Sequence, residues 1–540
     1  MVKSVDPYLL SSSGTVSAFE AGLPVEQRVQ ASKSRQAKLL VLLIFLPFLI
    51  LAIPYLKTLI QLLFVRNDAA LPEGAFVYSF LCALQTGKLY SSPFRFPFNE
   101  QMYGPVFYLI GVAFAKAAHG DATMTTLLWR GLSFLSFIGS AGLVGYLSWT
   151  LERVMRWSAI AIILCLASPC AVPFAGCVRP DELSVFLILS ALTVYVAAKG
   201  RCRFVFWAGV LASISCLTKQ STAPVVLALL IDGLAARRFR NVAALIAGCA
   251  PVPAILLCVL WLRQEPFLAN FLAVRHALFD WPFDYLLGFV RHNELDSIPA
   301  FLALLGAALS WRKDRYRTIL LAAVIGSIAN VAAMANTGGY ANYLILPWLM
   351  MCLLVPPGLT KLEEWSRSKT LIPLGLVLLS GFLLHRQWRF LAAVPSNLDT
   401  ANLSKLKMLT DQPYLGMRSR EPQLLDPYYY HQLALQNLWS AAPIIQQIDG
   451  EQYDLLVIRG EDPDAGNGFL VDGFRGTSHW GIDMLDPMMR HYRTLCEVPR
   501  FIVLVPLNRS VPAEAKDITR IFGQPCVATN RTLRLEPDMR

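Results

Sequence analysis

The stretch 72–109, PEGAFVYSFLCALQTGKLYSSPFRFPFNEQMYGPVFYL, decides how the rest of the chain is read. It follows the first apolar segment long enough to cross a membrane and opens with an acid, Glu73, at the start of a short amphipathic helix. Phe76, Phe80, Ala83 and Leu84 fall at i, i+4, i+7 and i+8, which gives one apolar face. Gly87 stands where a glycine would stop the helix. A helix this short is expected to lie on a membrane surface rather than cross it. Lys88-Leu89-Tyr90, a Pro/Phe-rich linker and Tyr103-Gly104-Pro105 follow, the last opening another apolar run. The whole reads as the floor of an active site at the outer face of a membrane.

Composition agrees with a membrane setting. The 540 residues are 55% hydrophobic and 16% charged, against about 25% charged in soluble domains. Apolar runs of about 17–25 residues recur, each long enough to cross a hydrocarbon core of about 30 Å. The net charge of +11 fits cytoplasmic anchoring loops, and no long basic-aromatic stretch points to nucleic acid. Of the eleven cysteines, Cys165, Cys170, Cys177, Cys216, Cys249, Cys258 and Cys352 lie in or beside apolar segments without metal-type spacing and read as packing residues.

Loop charge sets the expected topology. Residues 1–38 form a polar tail ending in Lys33, Arg35 and Lys38, followed by an uncleaved anchor with the N-terminus inside. Basic loops at 152–156, 199–203, 237–240, 312–317 and 361–369 alternate with loops holding Arg179-Pro180-Asp181-Glu182, Thr218-Lys219-Gln220, His292-Asn293-Glu294-Leu295-Asp296 and Gly338-Gly339-Tyr340-Ala341-Asn342-Tyr343. By the positive-inside rule the second set faces outward with Glu73. The alternation closes if 103–118, only sixteen residues long, is interfacial or re-entrant inside one outer loop, 66–128. Eleven crossings then follow, at 39–65, 129–150, 157–177, 182–198, 204–218, 221–236, 241–262, 297–311, 318–335, 343–357 and 370–386, with a second long outer loop at 263–296. The expected fold class is an all-α polytopic membrane protein with a small extracytoplasmic α/β domain at 387–540.

That C-terminal region carries strand-like runs at 453–458 and 501–505, with an amphipathic helix expected at 433–448. Cys496 and Cys526 are its only cysteines and could pair in an oxidising compartment, though nothing in the sequence fixes the distance between them. Asn402, Asn508 and Asn530 stand in Asn-x-Ser/Thr sites, which matter only in a host that glycosylates them.

Each polar candidate also has a plain explanation. Glu73, and the acids after Pro180, can be ordinary helix-start residues that complement the dipole. Lys219 can be a snorkelling lysine, Gly338-Gly339 a turn, and Tyr340 and Tyr343 interface aromatics. His292, Glu294 and Asp296 have a metal-ligand composition without diagnostic spacing, so no metal or other cofactor is assigned. Gathered at one face, however, acids, a lysine, amides and tyrosines imply a polar site. Glycosyl transfer from a polyprenyl-phosphate sugar would use such a site, with an acid as general base and cations on the leaving phosphate.

The order of the first-loop acid, Gly87-Lys88-Leu89-Tyr90, Tyr103-Gly104-Pro105, Arg179-Pro180-Asp181, Thr218-Lys219-Gln220 and Gly339-Tyr340-Ala341-Asn342-Tyr343 resembles the GT-C superfamily, in particular bacterial relatives of the aminoarabinose and protein O-mannosyl transferases. The resemblance spans about 39–360, with a weaker likeness around 439–458. It implies a lipid-phosphate-linked donor, no nucleotide sugar, inversion at the anomeric carbon, and a glycan, lipid or protein acceptor at the plasma (inner) membrane. Glu73 matches the first-loop catalytic acid and Asp181 the second acidic motif. Lys219 matches a motif for which phosphate contact is the expected role. Lys88, Tyr103, Arg179, Glu182, Gln220, Tyr340, Asn342 and Tyr343 join it as expected substrate-binding residues. The chain departs from the family pattern in having Pro72-Glu73 in place of an Asp or Asp-Glu pair, which leaves Asp68 as a substitute acid. Gly104-Pro105 likewise stands for Pro-Pro. Two other readings stay open: a transporter or flippase of a lipid-linked or anionic substrate, and an assembly subunit whose tail binds a partner.

Overall fold

The computed structural model describes residues 46, 50, 52–66, 68, 72–95, 98, 101–275, 297–311, 313–334, 341–365, 371–392, 403–424, 427–459, 480, 482–498 and 501–516. Most of these are helical. We label the helices before the first site loops α1 (Ala52–Leu63), α2 (Glu73–Thr86), α3 (Pro105–Ala117), α4 (Ala122–Glu152), α5 (Met155–Leu166), α6 (Asp181–Ala197) and α7 (Cys202–Thr218). Four helical segments among the described residues are long and apolar enough to cross a membrane: Ala122–Glu152, Phe239–Leu262, Tyr316–Met334 and Ala341–Trp365. At 1.5 Å per residue the 13-residue α3 reaches only about 20 Å, short of a hydrocarbon core.

Prolines and caps set the boundaries. Asp121 accepts the backbone N–H of Met124 and starts α4 seven residues earlier than expected. The expected continuous crossing at 157–177 is corrected: α5 stops at Leu166, and 167–180 runs as buried irregular chain with a 3₁₀ turn at Val172–Phe174. Pro169 and Pro173 withhold the amide protons a continuing helix needs. The last apolar helix extends beyond 386, as Leu371–Ala392.

The short helix α2 stops as expected, at a left-handed Gly87 with φ 70°. It does not lie on a surface. Glu73, Gly74, Ala75, Phe76, Val77, Ser79, Phe80 and Ala83 are all buried, so the helix is covered on more than its apolar face. Phe76 and Phe80 pack with Phe107 of α3 and Trp129 of α4, the Phe107 and Trp129 rings meeting edge-on at 4.7 Å. Each such buried aromatic contributes about 1.5–3 kcal/mol. On its other side Tyr414 and Met417 close the same cluster.

Residues 403–516 hold a four-stranded sheet of β1 (Met408–Thr410), β2 (Leu455–Arg459), β3 (Tyr492–Val498) and β4 (Phe501–Pro506) in the order β1-β2-β4-β3. β1 and β2 are parallel, joined by the crossover helices that parallel pairing requires, and β4 runs antiparallel to both β2 and β3. The two expected strands are β2, which starts two residues later and ends one later than expected, and β4, which starts as expected and runs one residue further. The single helix expected at 433–448 is corrected to two, Pro427–Leu435 and Ala442–Asp449, separated where Asn437 takes a φ of 57°. Phe98, from the linker after α2, is built into the core of this region beside Tyr430 and Trp439 and donates its N–H to the carbonyl of Gln423. Cys496 is disulfide-bonded, and Cys526 lies outside the described residues.

Candidate active site

Two buried charge centres meet at the 177–181 segment between α5 and α6. The first is built on Glu73, the opening residue of α2, which is fully buried. Arg130, from the interior of α4, approaches it with its plane: Nε lies 3.1 Å from Oε1 and Nη2 lies 2.7 Å from Oε2. The remaining nitrogen of Arg130 donates to the carbonyls of Val65 at 2.6 Å and Leu62 at 3.2 Å, at the end of α1 and just beyond it. Val178 donates its backbone N–H to Glu73 Oε1 at 2.5 Å. Bidentate geometry of this kind is the strong form of a charge-assisted hydrogen bond. It ties α1, α2, α4 and the 177–181 segment to one carboxylate.

The second centre is built on Asp181, the first residue of α6. Arg179 Nε donates to Oδ2 at 3.2 Å. Lys219, at the end of α7, donates to Oδ1, and Asn342 Nδ2 does so at 2.8 Å. The ammonium of Lys219 also sits 4.4 Å from the centre of the Tyr343 ring, within cation–π range. Arg179 reaches Tyr103 Oη at 3.3 Å, and its carbonyl accepts the indole N–H of Trp129. Asp181, Arg179, Lys219, Asn342, Tyr343 and Tyr103, all singled out in the sequence, thus form one network. Its link to Glu73 is a single peptide step from Arg179 to Val178.

Glu182 is different. It is buried to 1% exposure and both carboxylate oxygens lack a hydrogen-bond partner among the described residues. A buried acid without donors costs several kcal/mol unless something supplies them. The side-chain oxygen of Asn342 is likewise buried and unpartnered.

Two of the expected residues stand apart from this cluster. Lys88 is exposed and its side chain takes no part in the network, because Gly87 turns the chain away at the end of α2. Gln220 is half-buried in the 3₁₀ turn Gln220–Thr222 and contributes no hydrogen bond to it. Tyr340, His292, Glu294 and Asp296 lie outside the described residues. Asp68, the substitute acid, is buried next to Glu73, with one oxygen accepting the N–H of Gly74 and the other that of Tyr414, both at 2.8 Å. Burial, and then the charge of Glu73, push its carboxyl up to about 7 against the pull of those two N–H groups and Arg130.

Arg130 and Trp129 were missed in the sequence because both fall inside or at the edge of an apolar run. The signal was present: an isolated arginine in a membrane-length apolar helix implies a buried partner. The departure at Gly104 also has a physical reason. A Cβ there would stand 2.0 Å from the Leu217 carbonyl oxygen, so α3 starts in backbone contact with the end of α7, two residues from Lys219.

No family model matches the chain, and no curated relative matches it in sequence. Solved structures do match. ArnT from Cupriavidus metallidurans bound to undecaprenyl phosphate superposes with a TM-score of 0.53 at 13% identity, over 85% of this chain and 98% of that one. The same protein in the apo state gives 0.51 at 13% identity, over 84% and 97%. At that identity the match speaks for architecture alone, and it runs through nearly the whole of ArnT: the chain shares the fold of that protein.

Proposed function

We propose that the chain is a multi-pass membrane glycosyltransferase that moves a sugar from a polyprenyl-phosphate-linked donor to a hydroxyl of a glycan, lipid or protein acceptor. The observation that carries this reading is the orphaned carboxylate of Glu182 beside a buried cluster of Arg179, Lys219 and Asp181. A buried acid lacking donors calls for a ligand rich in hydroxyls, and two cations that share the carboxylate of Asp181 can take a further anion. A phosphorylated sugar supplies both. The solved ArnT structure with bound undecaprenyl phosphate supports a donor of that class.

The reaction is written as a direct displacement. The acceptor oxygen attacks the anomeric carbon, the bond from that carbon to the phosphate oxygen breaks, and the configuration inverts. The acceptor proton passes to Glu73, and the polyprenyl phosphate leaves as an anion held by Lys219 and Arg179. Asp181 fixes both cations, Tyr103 and Tyr343 bound them, and Glu182 with Asn342 accepts and orients sugar hydroxyls. Eleven crossings, a cytoplasmic N-terminus and an extracytoplasmic site in a plasma (inner) membrane complete this reading.

A second assignment of the base has its own support. Glu73 already accepts three hydrogen bonds, which occupy oxygen lone pairs that a base would offer the acceptor proton, whereas Glu182 accepts none among the described residues. Single-turnover transfer in proteoliposomes, with a panel of polyprenyl-phosphate sugars, tests both. Release of free polyprenyl phosphate by the native protein is expected. Glu73→Gln should lower the rate by about 10²–10⁴-fold, the range for a general base, with insertion unchanged. If Glu182→Gln gives that loss and Glu73→Gln does not, the base is Glu182. Movement of lipid without release of polyprenyl phosphate would replace the transferase with a transporter.

A further inference from the structure

The first turn of α2, which presents Glu73, is held from the C-terminal region as well as from the bundle. The opening N–H groups of any helix have no partner within the helix. Gly74 is the second residue of α2 and Tyr414 the second residue of the short helix Pro413–Gly416. Their N–H groups converge on the two oxygens of Asp68, each at 2.8 Å, so one buried carboxylate caps two helices from distant parts of the sequence. The backbones meet directly. A Cβ on Gly74 would stand 2.3 Å from both the Pro413 carbonyl carbon and the Tyr414 nitrogen. Tyr414 and Met417 continue the contact into the Phe76, Phe80, Phe107 and Trp129 cluster. Arg418 reaches Thr123 at the start of α4 at 2.7 Å and stacks over Tyr414.

We propose that residues 411–418 clamp the start of α2 through Asp68, so that the C-terminal region sets the position of Glu73 against Arg130 and Val178. Asp68 is then a positioning residue. It touches no reacting atom, and it fixes the turn whose first side chain does. This inference rests on the reading of Glu73 as the catalytic acid.

The test measures amide hydrogen exchange and transfer kinetics on the full chain in lipid nanodiscs. Asp68→Asn leaves an acceptor for only one of the two N–H groups. It should speed exchange in both 73–77 and 413–417 by about tenfold or more, the loss expected when a buried charged acceptor is removed. It should lower kcat while the KM for the donor stays within about twofold, since Arg179 and Lys219 are untouched. Gly74→Ala, which forces the two backbones apart, should repeat the pattern and serves alone if Asp68→Asn does not fold. Gly142→Ala, with no neighbour within 4 Å, should change neither readout. Unchanged protection at 413–417, or loosening of both segments with kcat intact, would overturn the clamp. If the native protein transfers from no donor, the glycosyltransferase reading fails, and the contact is judged by exchange alone.

Discussion

Around the 177–181 segment, ion-paired side chains are closed off from water on both sides: Arg130 and Glu73 are 0% and 1% exposed, Lys219 and Asp181 4% and 1%. Where the Ala223–Ala235 helix finishes, Asp232 is equally buried, but its partner Arg317 is 34% exposed. Arg156, paired with Glu363, is 39% exposed. Pairs with one arm in water gain and cost little, about 0–1 kcal/mol. Doubly buried pairs carry a desolvation cost that well-packed apolar side chains would avoid. A chain selected for stability alone would keep the first kind and replace the second. The closed pairs are therefore where chemistry is to be sought, and the open pairs Arg317–Asp232 and Arg156–Glu363 need only anchor the helices that carry them.

The largest effect should come from breaking the most closed pair. Arg130→Met removes the guanidinium that grips both oxygens of Glu73 and weakens the hold on a buried carboxylate. The expected loss is about 3–5 kcal/mol, read as a fall in the thermal unfolding midpoint in detergent. Adding Glu73→Gln should restore most of that stability and none of the transfer, because the two residues form one unit. A single variant as stable as the native protein would put Arg130 in the same class as Arg317 and dissolve the contrast.

How far this contrast could be read from sequence differs between its members. Asp181 and Lys219 were legible because each interrupts apolar sequence at a predicted loop, where charge alternation already assigned a face. Glu73 was legible from its position ahead of a short amphipathic helix. Arg130 does not stand out in the sequence, since the run around it is one long apolar segment and a single charge inside it leaves the hydropathy of the segment nearly unchanged. The break after Leu166 was hidden for a related reason: Pro169 and Pro173 sit among apolar residues, and hydropathy does not distinguish buried irregular chain from helix. The role of Asp68 was out of reach, because its second partner, Tyr414, is 346 residues away. Short-range patterns carry no information on that contact. The unpartnered state of Glu182 is likewise a property of the assembled fold.

A smaller effect on stability, with a large one on turnover, should follow at the second closed pair. Lys219→Met leaves Asp181 with Arg179 and Asn342 as donors, so the structural loss should stay near 1–3 kcal/mol. Donor use should suffer far more, with kcat/KM for the polyprenyl-phosphate sugar falling by about 10²-fold or more if Lys219 meets the leaving phosphate. Lys219→Arg should recover part of this, since the charge returns in a different shape. Equal losses of stability and of kcat/KM would make Lys219 a structural partner of Asp181 and weaken its assignment to the phosphate.

The smallest effect should be found at an open pair. In Arg317→Ala, Asp232 keeps the Tyr195 hydroxyl at 3.1 Å, and the space left by a side chain already one-third exposed admits water to its carboxylate. The cost should be about 1 kcal/mol or less, with transfer unchanged. The measurement has value because Asp232 itself is as buried as Asp181. If burial of the acid alone set the energy, Arg317→Ala would cost as much as Arg130→Met. If access of water to the pair sets it, the two variants should differ severalfold, and adding salt should shift the native unfolding midpoint through the open pairs while leaving the closed ones untouched.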